Sequence, residues 1–186
     1  MSQLIPRWLN RAFRFTFPFG AAAIFFLLIS LVDSQSLGKM FPFLAGYILP
    51  PLGKESMIPA AILSGVNPVV VSSTIITLDS LTAVFMVLNF DLLYSLPRIG
   101  RSIKKFEESG EKTLKKRRWI KRFSTVGLVL FMLIPFQGTG AIATSLIGRL
   151  AGVDVYRVVA AVFVGSVMTT ATFTSFSRLI SSFFAG

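Results

Sequence analysis

Two acidic side chains interrupt apolar stretches of this sequence and are candidates for proton-dependent chemistry. Glu55 follows a proline- and glycine-rich break, and Asp79 stands near the middle of a long apolar run. Carboxyl groups are costly inside a bilayer, so these two are expected to face the protein interior and to load and release protons. Alternatively, Glu55 would be the partner of a cationic group and Asp79 a salt-bridge partner. Two structural alternatives stay open. Glu55 would pair with Lys54 on an exposed loop, and Asp79 would be a buried acid bonded to nearby hydroxyls, namely Ser73, Thr77, Ser80 or Thr82.

Two arginines and a glycine turn could instead bind an anion. Arg149 and Arg157 carry guanidinium groups, which fork onto phosphate oxygens. The turn of Gly138, Thr139 and Gly140 stands where a short helix is expected to begin, and free backbone N–H groups at such a place attract anions. The alternatives are that both arginines reach the membrane surface and that the glycines only permit a tight turn.

The elements that must position these residues are apolar and long. Of the 186 residues, 53% are hydrophobic, and long, predominantly apolar runs cover residues 15–32, 69–93 and 155–176. Each run is long enough to cross a hydrocarbon core of about 30 Å as a helix. The composition therefore predicts an all-α integral membrane protein with three full transmembrane helices.

Several kinds of chemistry are excluded by residues that the chain lacks. There is no cysteine and no histidine, which removes disulfides, thiolate chemistry and the commonest metal ligand. No nucleophile–base–acid set, metal cluster or phosphate-binding P-loop is present either. We therefore expect no enzymatic activity, no bound metal and no cofactor.

The net charge of +11 is concentrated in one segment, since eleven lysines and arginines lie within residues 97–123. Nucleic-acid binding could explain such a cluster, but cytoplasmic loops of membrane proteins collect positive charge in the same way. We favour the second explanation and exclude nucleic acid as a partner. The N-terminus and residues 97–123 are then cytoplasmic, and the basic segment is expected to form an amphipathic helix on the membrane surface.

An even number of crossings must separate two cytoplasmic segments, yet three apolar stretches lie between them. The middle stretch, residues 40–64, is broken by Pro51, Gly53 and Pro59 and has arms of about a dozen residues, each roughly half a bilayer long. We therefore expect it to enter and leave the membrane on one side as a re-entrant hairpin.

A second broken stretch has the same form. Residues 124–150 are interrupted at Pro135 and Gln137, and both broken stretches are followed by Gly-Val-Asn/Asp and a long apolar run. The match indicates an internal repeat with opposite orientations in the membrane, which in transporters marks the binding site. Coincidence between two glycine turns is the alternative.

The resulting organisation is one membrane domain over residues 1–186. It consists of an N-terminal helix (1–39), a first hairpin with its helix (40–93), the basic cytoplasmic segment (94–123) and a second hairpin with its helix (124–186). Three helices and two hairpins enclose little interior, so a homodimer is plausible.

Three segments resemble a known family. "ESMIPAAI", "IPFQGTGA" and "AGVDVYRVVAAVFVG" are similar to segments of the small multidrug export family, which is related to the DedA/VTT membrane proteins. The resemblance covers roughly residues 40–180, and Gln137 stands where the family pattern has a second proline.

The resemblance implies two facing re-entrant hairpins and a transport role. DedA/VTT relatives are implicated in proton-linked homeostasis and lipid translocation, which favours an anionic lipid such as polyprenyl phosphate or a phospholipid as cargo. In that hypothesis Gly138–Gly140 and Arg149 hold the phosphate, while Glu55 and Asp79 couple protons. One alternative is proton-coupled export of lipophilic cations, with the two acids as counter-charges. Another is a scaffold without transport.

Overall fold

The computed structural model describes residues 7–48, 53–90, 118–133 and 140–184. Within these ranges the chain forms seven α-helices and no strand, which confirms the all-α prediction for them. The helices are α1 (Arg7–Val32), α2 (Ser34–Ile48), α3 (Lys54–Leu63), α4 (Pro68–Leu88), α5 (Arg118–Leu133), α6 (Ala141–Leu150) and α7 (Val155–Phe184).

Helices α1, α4 and α7 are long and apolar enough to cross a membrane, as the three apolar runs predicted. Their apolar segments are Ala12–Val32, Pro68–Leu88 and Val155–Phe183, and the shortest have 21 residues. At a rise of about 1.5 Å per residue, 21 residues reach across a hydrocarbon core of about 30 Å. α4 begins where Asn67 accepts a hydrogen bond from the Val69 N–H, directly before Pro68.

Helices α4 and α7 run antiparallel and form the centre of the described structure. At one end Ser72 Oγ and Thr174 Oγ1 lie 3.1 Å apart. Near the middle Ser166 donates a hydrogen bond to Asp79. At the other end Val87 packs in one cluster with Val158.

Helix α1 packs against α4 from outside. The Phe85 ring contacts Phe15 and Phe19 at centroid distances of 5.4 and 5.6 Å, and Asn89 Nδ2 donates to the Arg14 carbonyl. Only 6% of the apolar segment of α1 is buried, against 39% for each of α4 and α7. α1 therefore lies at the edge of the helix group and presents apolar side chains outward.

Helices α2 and α3 form a pair that returns to its starting end. The backbone N–H of Asn67, just after α3, donates to Ser36 Oγ at 3.3 Å, and Asn67 Nδ2 lies 3.4 Å from Asp33 Oδ2. With 15 and 10 residues the two helices are about 22 and 15 Å long, shorter than a bilayer core. α2 also begins earlier than the expected residue 40, because Asp33 caps it by accepting from the Ser36 N–H.

One expected detail of the break is different. Pro59 lies inside α3 and does not end a helix. Gly53 is instead the extended N-cap residue of α3, with φ −120°. Pro51 lies outside the described residues.

Helices α5 and α6 form the second pair. Leu128 lies against Gly148, and Met132, near the end of α5, clusters with Ala141 at the start of α6. α5 begins at Arg118, so residues 118–123 continue the first arm rather than belonging to a separate basic segment. No proline separates them from the apolar part of the helix. The remainder of the basic segment, Pro135 and Gln137 lie outside the described residues.

The two turns that follow α3 and α6 are built alike, residue for residue. Gly65 and Gly152 have φ +82° and +69°, the left-handed conformation that closes a helix at low cost only with glycine. Each turn then leads into a long helix whose first turn is capped by an Asn or Asp side chain. The matching backbone bonds are Gly65 N–H to Ile62 O, Val66 N–H to Ala61 O and Val71 N–H to Asn67 O in the first turn, and Gly152 N–H to Arg149 O, Val153 N–H to Gly148 O and Val158 N–H to Asp154 O in the second.

Candidate functional site

The Asp79 carboxylate lies fully buried near the middle of α4 and accepts three hydrogen bonds. Tyr47 Oη donates to Oδ1 at 2.5 Å. Lys54 Nζ donates to Oδ2 at 3.0 Å, and Ser166 Oγ donates to the same oxygen at 2.7 Å. Burial of a charge is tolerated when it is paired and hydrogen-bonded in this way.

Each partner of Asp79 comes from a different helix. Tyr47 stands near the end of α2, Lys54 is the first residue of α3, and Ser166 lies midway along α7. The Lys54 side chain is 4% exposed and Asp79 is 0% exposed, so the ion pair is inside the protein rather than on its surface. The site therefore joins the hairpin α2–α3 to the two central helices.

Glu55 lies beside this ion pair but does not join it. It is half-buried in the first turn of α3, and its carboxylate folds back so closely over Gly53 that a Cβ there would collide with it. A carboxylate at a helix N-terminus is stabilised by the helix dipole. With Lys54 positive and both acids ionised, the three formal charges sum to one negative charge.

The alternative in which Glu55 pairs with Lys54 on an exposed loop is wrong, because Lys54 is buried and paired with Asp79. Consecutive residues of a helix do not face each other, so Lys54 points to Asp79 while Glu55 turns away. The available signal was that Lys54 stands within the broken apolar stretch 40–64 while Asp79 interrupts the next long apolar run.

The hydroxyl partners expected for Asp79 are also wrong where the structure records them. Ser73 Oγ donates to the Val70 carbonyl and Ser80 Oγ to the Ile76 carbonyl, each on its own helix. Serine within a helix commonly bonds to a preceding carbonyl in this manner. The hydroxyl that does reach Asp79, Ser166, comes from α7.

Of the residues expected to hold a phosphate, Gly140 and Arg149 stand at opposite ends of α6. Arg149 lies in the last turn of α6, nine residues beyond Gly140, which is about 13 Å along a helix. Its guanidinium lies 5.3 Å from the centroid of the Phe90 ring, and its Nε is buried without a hydrogen-bond partner. Arg157 is exposed in the first turn of α7, and Gly138 and Thr139 lie outside the described residues.

The described residues contain no group of three or more acidic or metal-binding side chains that could hold a metal ion. A separate polar cleft of about 620 Å³ opens at the end of the molecule where α3 meets α4. Its lining includes Asp33, Ser36, Asn67 and Arg178.

Comparison with known protein families agrees with the membrane architecture. Residues 55–171, well over half of the chain, match the family described as "Putative small multi-drug export protein". The chain belongs to this family. Asp79, Ser166 and Glu55 lie within the matched range, while Tyr47 and Lys54 precede it. No curated protein and no solved structure gives a match, and the relationship to the DedA/VTT proteins stays a prediction.

Proposed function

We propose that this protein exports small lipophilic cations across a membrane in exchange for protons. Membership of an export family and three helices of membrane-crossing length support a transport role. The buried Lys54–Asp79 ion pair is the observation that carries the proposal. Ionisable groups inside membrane proteins mark substrate and proton pathways more often than they serve stability.

The charge of the site favours a cation over an anionic lipid. Two acids and one lysine lie near the start of α3, while Arg149 lies in the last turn of α6 beside the Phe90 ring. An anionic headgroup placed near Asp79 would meet a carboxylate whose neighbouring cation, among the described residues, is Lys54, which is already paired with it. Lipid translocation, which the family resemblance favoured, therefore becomes the weaker hypothesis.

In this proposal α2–α3 and α5–α6 are re-entrant hairpins that enter from opposite faces and form an inverted repeat. The matching turns support a repeat with an offset of 87 residues. Asp79 and Ser166 are separated by the same 87 residues and bond to each other. Two equivalent positions meet only where a two-fold axis passes between them, so the contact supports an axis at the centre of α4 and α7.

An inverted repeat provides a simple route to alternating access. Exchange of the two hairpin conformations about this axis would expose the Asp79 region first to one face and then to the other. The N-terminus would be cytoplasmic, because the basic residues 97–123 then lie on the same face.

Transport by purified protein in liposomes tests the function. We expect wild-type protein to move tetraphenylphosphonium against its gradient when a pH gradient is imposed. Asp79→Asn should abolish this movement. Asp154→Asn is the matched control, because Asp154 is exposed and Asn is the residue at the equivalent position of the first turn.

Asp79→Asn leaves Lys54 buried without its carboxylate, so loss of folding must be separated from loss of transport. The double variant Lys54→Met with Asp79→Leu replaces the pair by apolar groups, which is often neutral for stability. A folded double variant that still transports the cation at the wild-type rate contradicts the proposal. Flipping of a phosphate lipid by wild type, with no movement of the cation, would favour the lipid hypothesis.

Labelling of single cysteines tests the hairpin topology, since the native chain has no cysteine. Gln35 and Ser64 are exposed on either side of the first hairpin, and Asp154 follows the second. Cysteines at positions 35 and 64 should react from one face of the membrane, and a cysteine at 154 from the other. Reaction of positions 35 and 64 from opposite faces would exclude a re-entrant first hairpin.

A further inference from the structure

The Asp79 carboxylate is fully buried, and donors from three neighbouring side chains already occupy both of its oxygens. Tyr47 occupies Oδ1, while Lys54 and Ser166 both occupy Oδ2. Tyr47 and Ser166 are neutral donors, which orient the carboxylate without balancing its charge. Lys54 is the one cation among the three, and it stands where a substrate cation would have to stand.

A second cation cannot simply be added to this pair. With Lys54 protonated, an incoming monovalent cation would place an additional positive charge in a site where Asp79 is fully buried and Lys54 almost so. Because Lys54 already neutralises Asp79, the added charge would have Glu55 as its counter-charge among the described residues. The Glu55 carboxylate lies over Gly53 at the start of α3 rather than against Asp79, and a buried charge without a close partner is strongly unfavourable.

We propose that Lys54 is a tethered competitor for the substrate, so that its ammonium and the substrate cation occupy Asp79 in turn. This inference rests on the proposed function. When a cation binds, Lys54 gives one proton to water and becomes a neutral amine. The charge within the site is then unchanged: one positive group leaves as a proton and one enters as substrate. When the cation departs, Lys54 takes up a proton and closes the pair again.

The position of Lys54 suits this role. It is the first residue of α3, directly after the extended Gly53, and its flexible stem lets the ammonium leave Asp79 without unwinding the helix. Its equivalent in the second half of the chain is Ala141, and Asp79 has Ser166 as its own. The exchange is therefore confined to one hairpin, which ties each transported cation to one proton.

Proton release by the wild-type protein is the direct test. Tetraphenylphosphonium is added to detergent-purified protein in weak buffer with a pH indicator, and bound cation is measured in parallel. We expect one proton released per cation bound. By linkage, the apparent Kd should then fall about tenfold for each unit of rising pH. Binding without proton release overturns the role of Lys54 and leaves the proposed export function standing.

Lys54→Arg distinguishes a proton-releasing group from a merely structural cation. Arginine keeps the charge and can pair with Asp79, but it does not lose its proton in proteins. We expect this variant to remain folded, with cation binding weakened at least tenfold and proton release lost. Lys39→Arg, at an exposed lysine of α2, is the matched control and should behave as wild type.

The outcomes separate the two proposals. If Lys54→Arg binds the cation and releases protons as wild type does, Lys54 is only a positioning residue and the inference fails. If neither wild type nor any variant binds the cation, the export proposal fails and the inference fails with it. Since the wild-type measurement needs no substitution, a misfolded arginine variant does not prevent a decision.

Discussion

The two halves of the molecule share a backbone plan but differ in the chemistry at its centre. In each half an extended glycine precedes a ten-residue helix, a left-handed glycine closes that helix, and an Asn or Asp side chain caps the long helix that follows. At the centre, however, the first half places Lys54 and Asp79 where the second half has Ala141 and Ser166.

The turns and the charged site therefore meet separate physical requirements. The turns are fixed by backbone sterics and hydrogen bonding, which any half of this design must satisfy. The ion pair needs only one carboxylate and one ammonium, and a second pair beside the first would add buried charge. Substitutions at equivalent positions of the two halves can therefore test whether the halves depend on the same interactions.

The largest effect is expected at the central contact. Asp79→Asn leaves a buried ammonium unpaired and should lower the free energy of unfolding by about 3–5 kcal/mol. Ser166→Ala, at the equivalent position, removes one hydrogen bond to a charged group and should cost about 1.5–3 kcal/mol. Thermal unfolding of detergent-purified protein measures both losses. Equal losses would mean that the charge of the Asp79 carboxylate adds nothing to stability beyond one hydrogen bond.

A second difference concerns the packing of the two short helices. Gly148 in α6 is equivalent to Ala61 in α3, yet a Cβ at Gly148 would lie 2.8 Å from Val158 Cγ2 and 2.9 Å from Leu128 Cδ1. Gly148→Ala should therefore destabilise the protein by about 1–3 kcal/mol through overpacking.

Gly127→Ala is the control for this substitution. A Cβ at Gly127 meets no atom within 4 Å, and alanine favours a helix over glycine by about 1 kcal/mol. Its melting temperature should stay level or rise. If Gly148→Ala behaves in the same way, α6 packs less tightly than described.

The two turns should respond equally. Gly65→Ala and Gly152→Ala each force an L-residue into the left-handed region at φ +82° and +69°, at a cost of about 1–2 kcal/mol. Melting temperatures of the two variants should agree within error. A clear disagreement would show that only one turn depends on its glycine and would weaken the repeat.

The smallest effect is expected at the cap of α2, which has no acidic counterpart in the second half, where Ile120 stands at the equivalent position. The hydrogen bond from the Ser36 backbone N–H lowers the pKa of Asp33 below its ordinary value of 3.8. A carboxyl group whose pKa is lowered by folding stabilises the folded state when the pH is above the pKa of the unfolded state. This contribution is lost as the pH falls through the pKa of the folded state.

The melting temperature of wild type should therefore drop slightly more than that of Asp33→Asn between about pH 5 and about pH 3. Identical drops in the two proteins would show that the Asp33 carboxylate adds nothing to the cap at neutral pH.

Local properties of the chain predicted most of the fold. Runs of about 20 apolar residues predicted α1, α4 and α7, since helix length and burial in lipid depend on neighbouring residues. The Gly-Val-Asn/Asp pattern identified the two turns because left-handed glycine and side-chain caps act over a few residues. Pro59 was expected to break a helix but is the sixth of the ten residues of α3, where a proline removes one intrahelical hydrogen bond without ending the helix.

The candidate site was predictable only in part. The sequence singled out Asp79 and Glu55 by their cost in an apolar environment, and it also placed Arg149 beside a turn that lies about 13 Å away along α6. It did not indicate Tyr47 or Lys54 as partners of Asp79.

By itself, then, the sequence determined that helices of membrane length form and which residues are too polar to face lipid. Only the tertiary structure decided that Lys54 pairs with Asp79 rather than Glu55, and that Ser166 completes the site from α7. The physical reason is that contacts between side chains of different helices depend on the direction in which each side chain points. Side-chain partners across helices depend on rotation and packing, which bring together residues 25 and 87 positions apart and which no short pattern of residues records.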